Sequence, residues 1–368
     1  MANITQAEYN AHLQSTRILN VKVELLNSSD AKIDVLTGVS LSGNINVSGD
    51  SLIRRTGNIK FLLSTTLLPS QQSKLAINNK LKLWIEIEDY LSVKHPYCMG
   101  VFMIKNVSID SSSDGKTISL DLVDKMYLLE NIPLEMITVL NSNTPISDVM
   151  KLVVGTLGGE QSMSIDTSPY YLPYDLEFSP DQTVLDVVQK VKELYLSWSC
   201  FYDINGRFVF RKTPNTLNDN IVWNFLDKAD FRINSQVSTD YSNVKNYIKV
   251  IGRTNNDGTI ASAIVENNDI NSPFSIAKIG KKALVIKDDN YFTNEQCLIN
   301  GQYQLFKHGN FNEQVSVSTV PIYFLDVENN INFNSTEDGL EGIYCVNSIG
   351  IDLKFDAQMS ISGFKVYQ

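Results

Sequence analysis

The sequence predicts a mainly β protein in which two tube-like antiparallel β-domains flank a small α+β insert. Apolar and polar residues alternate with period two along most of the first and last thirds of the chain. Glycines and turn dipeptides separate these runs. Two apolar patterns of helical period lie close together in the middle third. We therefore expect a first β-domain at residues 1–138, an insert at 139–235 and a second β-domain at 236–368.

The composition is that of a folded globular protein. The chain has 368 residues, of which 43% are hydrophobic and 20% charged, so it can bury a large core. No apolar run approaches the ~20 residues of a membrane span, and the N-terminus MANITQAEYNAHLQ lacks the features of a secretory signal. The formal charge of −10 is spread along the chain, which argues against a broad phosphate-binding surface.

The first β-domain begins with a short helix. Thr5 and Glu8 fit a capping box at its start. The segment Ser113-Asp114-Gly115-Lys116 predicts a hairpin turn between the last two strands of this domain. The alternating runs predict strands at 18–26, within 36–64, and at 80–87, 99–109 and 117–123.

The insert contains two predicted helices followed by a hairpin. Thr144-Pro145 predicts the first helix start, with Thr144 as N-cap, and Gly158-Gly159 its end. Ser179-Pro180-Asp181-Gln182 fits a capping box for the second helix. Asn205-Gly206 predicts the hairpin turn. The apolar stripes comprise Ile146, Val149, Met150, Val153 and Leu157, then Val184, Leu185, Val188, Val191 and Leu194 or Tyr195. The hairpin aromatics Trp198, Phe201, Tyr202, Phe208 and Phe210 are expected in the core beneath these helices.

The second β-domain contains one helix among its strands. Thr293-Asn294-Glu295-Gln296 fits a capping box that opens a helix to about residue 307. The predicted strands cover 244–252, 259–266, 283–286, 315–320, 323–327, 342–351 and 357–367.

Residues that could carry chemistry are few and scattered. No nucleotide-binding, zinc-protease or nucleophile-elbow motif occurs. The histidines (His12, His95 and His308) lack metal-ligand spacing, and the cysteines (Cys98, Cys200, Cys297 and Cys345) are predicted to be reduced, mostly buried thiols. Ser242–Lys245 and Ser275–Lys278 fit SxxK without any partner motif. We predict no catalytic, cofactor-binding or metal-binding residue, and no enzyme activity.

One pair of carboxylates allows an alternative. As a strand, residues 84–90 place Trp84, Glu86 and Glu88 on one face. Neighbouring carboxylates can act as acid and base, as in glycosidases. The favoured interpretation is that Ile85 and Ile87 point inward and the acids face solvent.

The order of these segments resembles the tail hub (baseplate hub) proteins of bacteriophages, which are related to the hub part of type VI secretion spike proteins. The last 130 residues, from VKNYIKVIG through SPFSIAKIGKKALVIKDD to the closing GIYCVNSIGIDLKFDAQMSISGFKVYQ, are similar to the second tube domain of that family. The two helices, Asn-Gly turn and RFVFRK resemble its insert. LTGVSLSGNINVSGDSLIRRTGNIKF resembles its first tube domain.

The resemblance implies a structural virion protein synthesised in the bacterial cytoplasm. Such hubs are homotrimers whose six tube-like barrels adapt the six-fold tail tube to the three-fold spike or tip, and DNA leaves through the channel. The implied partners are a tail tube or distal tail protein on one side and a spike, tip or cell-wall-lytic protein on the other. Acidic residues in the lumen would repel passing phosphates, although they could equally keep the outer surface soluble. Because the chain stops at Gln368 after the last predicted strand, we expect no fused cell-wall hydrolase.

Two other functions stay open at this point. A carbohydrate-binding adsorption protein could stack Tyr170, Tyr171 and Tyr174 on sugar rings. A cell-wall-degrading tail enzyme, a glycosidase or peptidase, could use Glu86, Glu88 or acids remote in sequence. The short insert leaves little room for a substrate cleft, which favours the hub.

Overall fold

One large sheet dominates the computed structural model. The structure describes residues 5–14, 18–37, 40–62, 75, 79–112, 115–213, 221–226, 232–240, 242–255, 257–309, 312–335, 340–354 and 357–366. Within them, 13 strands form a single sheet in which one pair is parallel and the others are antiparallel. The mainly β class is therefore confirmed. No helix in these ranges is long and apolar enough to cross a membrane.

The first part of the chain forms half of this sheet. Its elements are α1 (Gln6–His12), β1 (Ile18–Leu26), β2 (Lys32–Thr37), β3 (Ser40–Ser48), β4 (Arg55–Leu62), β5 (Lys80–Glu88), β6 (Lys94–Ser112) and β7 (Gly115–Asp124). They lie in the order β3-β4-β7-β6-β5-β1-β2. The predicted capping box of Thr5 and Glu8 is present. β6 and β7 pair as the predicted hairpin, although Ser113 and Asp114 of its turn lie outside the described residues.

The insert has its own core. It contains α2 (Met126–Glu130), β8 (Thr138–Leu140), α3 (Ile146–Met150) with a π-helical continuation (Lys151–Leu157), β9 (Met163–Ile165), β10 (Leu176–Phe178), α4 (Val184–Leu194), β11 (Trp198–Tyr202) and β12 (Phe208–Lys212). Four of the five predicted hairpin aromatics lie in this core, and Phe201 is buried beside it.

Both helix starts in the insert differ from the prediction. Pro145, with an extended ψ of 133°, is itself the N-cap of α3, and the Thr144 hydroxyl instead donates to the Asn141 carbonyl (2.7 Å). The box at Ser179 closes a turn ahead of α4. The N-cap of α4 is Thr183, whose side chain and backbone exchange hydrogen bonds with Asp186.

The last part divides between two sheets. Its elements are β13 (Ile221–Leu226), β14 (Arg232–Asp240), β15 (Tyr247–Thr254), β16 (Ile260–Glu266), α5 (Ile276–Ile279), β17 (Ala283–Lys287), α6 (Asn294–His308), β18 (Asn312–Thr319), β19 (Asn330–Ser335), β20 (Leu340–Asp352) and β21 (Met359–Lys365). β16, β15 and β17 form a separate three-stranded sheet, here called the small sheet, which packs on α6. β13 and the start of β14 belong to the large sheet although they precede residue 236, the expected start of the second β-domain.

The predicted strand at 323–327 is wrong. Tyr323, Leu325 and Val327 are buried in the main core, as an inward strand face would be, but the segment turns twice and pairs with no strand. The strand that follows it, β19, was not predicted from the sequence.

A direct strand pair joins the first and last parts. β20 pairs antiparallel with β3 from Ser348↔Ser48 to Asp352↔Asn44. The main hydrophobic core accordingly contains residues from both parts, such as Ile45 and Ile351. The two halves therefore share one continuous sheet and one core.

Candidate functional site

The residues singled out from the sequence do not converge on a catalytic centre. Ile85 and Ile87 are buried, and Glu86 and Glu88 are half-buried on the opposite face of β5, as the favoured interpretation expected. Glu86 lies 3.9 Å from Lys94. Among the described residues, no group of three or more His, Cys, Asp or Glu side chains could hold a metal ion.

Trp84, which shares a face of β5 with Glu86 and Glu88, belongs to a polar cluster with residues of β1 and β2. Trp84 Nε1 donates to Glu24 Oε2 (2.9 Å), and Lys32 and Lys22 lie 2.9 and 3.2 Å from the other oxygen of the same carboxylate. Burial acts to raise the pKa of Glu24, but hydrogen bonds from Lys32, Trp84 and Lys22 outweigh it and lower the pKa to about 2. The cluster is structural, because every group in it is engaged.

The histidines occupy structural settings. His12 is buried, and its Nδ1 donates to the Glu8 carbonyl (2.8 Å) while its Nε2 accepts from the Tyr323 amide (3.3 Å). His95 bonds Asp89 (3.0 Å). His308 ends α6, where burial lowers its pKa.

The SxxK segments and the cysteines offer no nucleophile either. The lysines Lys245 and Lys278 donate to backbone oxygens, of Ser242 (3.1 Å) and Asn271 (3.4 Å), rather than to the serine hydroxyls. No disulfide links the four cysteines, all of which are among the described residues, and three of them are buried.

The three tyrosines of the proline-rich loop are not a sugar platform. Tyr170 stacks on Tyr195 with ring centroids 4.5 Å apart. Tyr174 stacks on Phe292 at 3.7 Å. Of the three, only Tyr171 is exposed, at 52%. Because intramolecular rings already cover two of the three aromatic faces, the loop serves packing rather than stacking on a ligand.

The most unusual feature of the described structure is a buried cluster of charges where the first part, the insert and the last part meet. We call it the junction. Its basic members are Arg54, Arg55, Lys80, Lys125 and Arg211, and its acidic members are Asp30, Asp124, Glu160, Asp326 and Glu328. Arg54, Arg55, Asp124 and Lys125 are almost fully buried, and charged side chains are seldom so deeply buried unless they are paired.

Arg55 connects all three parts. Its side chain is 2% exposed, and its Nη1 donates to the Tyr202 carbonyl of the insert (2.9 Å). Its Nη2 bonds Asp326, in the loop between β18 and β19. Its backbone amide donates to Asp124 Oδ2 at the end of β7 (2.9 Å). Burial raises the pKa of Asp124, against the opposing hydrogen bonds from backbone amides.

Lys125 lies at the centre of a second group of contacts in the junction. It is 1% exposed and contacts Asp30 (2.8 Å), Glu160 (2.6 Å) and the Gly206 carbonyl (2.9 Å). Burial acts to raise the pKa of Asp30, but hydrogen bonds from Lys125 and Lys80 outweigh it and lower the pKa. Lys125 therefore ties the turn after β1 to two points of the insert.

Glu328 closes the junction with a strained backbone. Its φ of 65° lies in the left-handed region, which a residue with a side chain rarely adopts. Its two oxygens accept from Arg54 Nη2 (2.7 Å) and Arg211 Nη2 (2.5 Å). The Arg54 guanidinium also lies 3.6 Å from the centroid of the Phe201 ring. One carboxylate thus holds the first part, the insert and the last part together.

The sequence contains only weak signals for the junction. The pair Arg54-Arg55 after a turn and the pair Asp124-Lys125 at a strand end are visible, but their partners are up to 274 positions away. The arrangement can fix the relative orientation of the three parts. It offers no accessible nucleophile or base.

Comparisons with known proteins agree with this architecture. A family model described as a domain of unknown function (DUF5048) matches residues 271–368. No curated protein matches the sequence. A 43 kDa tail protein of prophage MuSo2 from Shewanella oneidensis has a similar structure, with a TM-score of 0.62 and 12% identity over 94% of this chain and 98% of that chain. A tail protein from Neisseria meningitidis MC58 gives a TM-score of 0.64 with 8% identity, over 94% of this chain and 96% of that chain.

The chain has the fold of phage tail proteins. A third similar structure is the E. coli c3393 protein, with a TM-score of 0.55 and 8% identity over 90% of this chain and 74% of that chain. It is described as a type VI secretion component that resembles the T4 tail proteins gp27 and gp5. The resemblance drawn from the sequence is therefore confirmed for the tail-protein fold, and it extends over nearly the whole chain.

Proposed function

We propose that this chain is a structural subunit of a phage tail, specifically a baseplate hub. In this proposal two tube-like barrels, at about residues 1–138 and 236–368, flank the insert, and three chains form a ring of six such units. The ring adapts the six-fold tail tube to a three-fold spike or tip, and DNA passes through its channel. The observation that carries the proposal is the tail-protein fold over 94% of the chain.

The sheet topology supports ring formation. β2 and β14 lie at the two ends of the strand path, and each has one partner among the described strands. Exposed strand edges favour association and are commonly paired or covered. In a closed ring of copies, β2 and β14 would each find a neighbour, and β13, at the end of the side branch, would be the remaining end strand.

The junction supports a rigid rather than a catalytic role. A ring adaptor needs its barrels and insert at fixed angles, and the buried ion pairs of Arg55, Lys125 and Glu328 join all three parts. The proposed partners are a tube or distal tail protein on one side and a spike, tip or lytic protein on the other. The proposed location is the virion, after synthesis in the bacterial cytoplasm.

Electron microscopy of the purified chain at high concentration, together with native mass spectrometry, tests the proposal. We expect a trimer with a central hole wide enough for duplex DNA. A compact monomer with a closed cleft at every concentration would contradict it. Once lumen carboxylates are located, their replacement by lysine should slow DNA ejection most at low salt, and unchanged ejection would refute the electrostatic part.

The alternatives have less support. The adsorption hypothesis loses two of its three stacking residues to Tyr195 and Phe292, and a glycan array without any binder would exclude it. The enzyme hypothesis rests on half-buried acids along one strand face. Equal cell-wall clearing in a zymogram by wild type and Glu86→Gln would remove Glu86 from consideration.

A further inference from the structure

The small sheet leaves one whole face uncovered. α6 packs on the opposite face, where Ile248, Val250 and Cys297 are buried. The residues that alternate with these along each strand therefore point away from α6. Register places Lys249 between Ile264 and Val285 in the middle row of this open face, and these two apolar side chains are 51% and 59% exposed.

The open face is basic although the protein is acidic. Lys249 and Lys287 lie on it, and no carboxylate of the described residues forms an ion pair with either. Lys281 stacks over the Tyr247 ring at 3.8 Å and pairs loosely with Glu266 (3.7 Å). The chain as a whole carries a formal charge of −10. A face on which a lysine lies between two exposed apolar side chains, with a second lysine beside them, is therefore suited to an acidic protein surface.

The same chain carries such an acidic surface. A groove of about 370 Å³ runs between β10 and α4 and is lined by Glu177, Asp186 and Glu193, with Lys190 as its one basic side chain. Lys190 is engaged with Asn290. Within the described residues, none of the three carboxylates has an ion-pair partner; Asp186 caps α4 and Glu193 accepts from Gln189 (2.9 Å).

The open face of the small sheet points away from α6, the helix that contacts the insert. Asn300 of α6 bonds the Leu194 carbonyl (3.0 Å) and the Leu196 amide (3.1 Å) at the end of α4. α6 therefore lies between the covered face of the small sheet and the end of α4, and the loop after β17 also contacts α4 through Asn290 and Lys190. Two complementary but different patches on one subunit produce head-to-tail contacts, which form a ring when the rotation between copies closes and a filament when it does not.

We propose that the open face of the small sheet binds the acidic groove of α4 on a second copy of this chain. The inference rests on the proposed trimer and names its contact: Lys249 and Lys287 of one copy face Glu177 and Glu193 of the next, with Ile264 and Val285 packed between. The contact lies outside the large sheet, so it acts in addition to strand pairing between barrels.

Charge reversal tests this contact. Lys249→Glu with Lys287→Glu should raise the trimer dissociation constant at least about tenfold at low salt, and Glu177→Lys with Glu193→Lys should do the same. The quadruple variant restores opposite charges across the contact and should return within about threefold of wild type. Asp186 is left intact because it caps α4. Lys116→Glu with Lys212→Glu, at two exposed strand lysines, is the control with the same change in net charge.

Sedimentation equilibrium at several protein concentrations provides the dissociation constants. Carbodiimide crosslinking with mass spectrometry provides the contact itself, as intermolecular links between Lys249 or Lys287 and Glu177 or Glu193. A wild-type ring that is unaffected by either reversal, or that lacks these links, overturns this inference alone and leaves the open face to another anionic partner. A wild-type chain that is monomeric at every concentration contradicts the proposed ring as well.

Discussion

Replacing Glu328 by alanine removes the carboxylate that joins the three parts of the protein. Arg54, whose side chain is 3% exposed, would keep its charge in a buried site without that partner. Removing one partner of a buried pair costs about 3–5 kcal/mol. The Phe201 ring still covers the Arg54 guanidinium, and the Glu328 side chain is 15% exposed. We therefore expect the low end, about 3 kcal/mol.

Replacing Glu328 by glycine distinguishes the effect of losing the ion pair from the effect of backbone strain. The φ of 65° strains alanine as it strains glutamate, by about 1–2 kcal/mol for a residue with a Cβ. Glycine adopts this φ freely, but the unfolded chain becomes more flexible, which takes back about 0.4–1 kcal/mol. Glu328→Gly should therefore be more stable than Glu328→Ala by up to about 1.6 kcal/mol, and both should be less stable than wild type.

Hydrogen exchange measures the loss of stability near Glu328 directly. A local measurement is needed because a chain with several cores does not have to unfold in a single two-state transition. The Glu328 amide donates to the Val346 carbonyl (2.8 Å). A loss of about 3 kcal/mol corresponds to roughly 100-fold faster exchange of this amide, and β11 and β12 should also exchange faster. Glu135→Ala, at an exposed glutamate, is the control. Exchange within threefold of wild type in Glu328→Ala, or a glycine variant less stable than alanine, would refute the reasoning.

Three further predictions concern single sites. Gly206→Ala should lower the melting temperature more than Gly159→Ala: both glycines have φ near 70°, but a Cβ at Gly206 would lie 2.9 Å from the Val101 side chain, whereas Gly159 has open space. Glu24→Gln should remove stability that wild type has above pH 4.5 and loses as pH falls toward 2, because folding lowers this pKa; unchanged acid denaturation would contradict it. His12→Phe should cost about 1–2 kcal/mol in chemical denaturation by leaving two backbone groups without their side-chain partner, and full stability in the variant would contradict it.

Local pattern predicted the strands well where one face of the strand meets the core. The bounds of β1 match the expected 18–26, because the alternating sequence there pairs with β5 along its whole length. The same rule failed at 323–327, where alternate residues are buried in a loop that lies against the core. Period-two burial is necessary for a strand of this kind, but backbone pairing is set by neighbours that are distant in sequence.

The prediction of helix starts fails where two possible N-cap residues lie close together. Ser179 and Thr183 both precede a suitable partner three residues later, and the chain uses the second, so that α4 begins where Val184 enters the insert core. No local sequence pattern predicts the junction. Arg55 and Asp326 are 271 positions apart, and no residue near either one in sequence indicates that the two side chains meet.

The charges of the protein are distributed unevenly between the junction, the open face of the small sheet and the remaining surface. The junction contains five basic and five acidic side chains, so its formal charge is zero and the net −10 lies wholly outside it. The open face of the small sheet adds lysines, which makes the remaining surface more acidic still. The acids are therefore available to the α4 groove and to the surfaces that would line a channel. The proposed contact would conceal two lysines together with two glutamates, so each chain would keep its net −10 on the remaining surface, and such a surface would repel a DNA backbone.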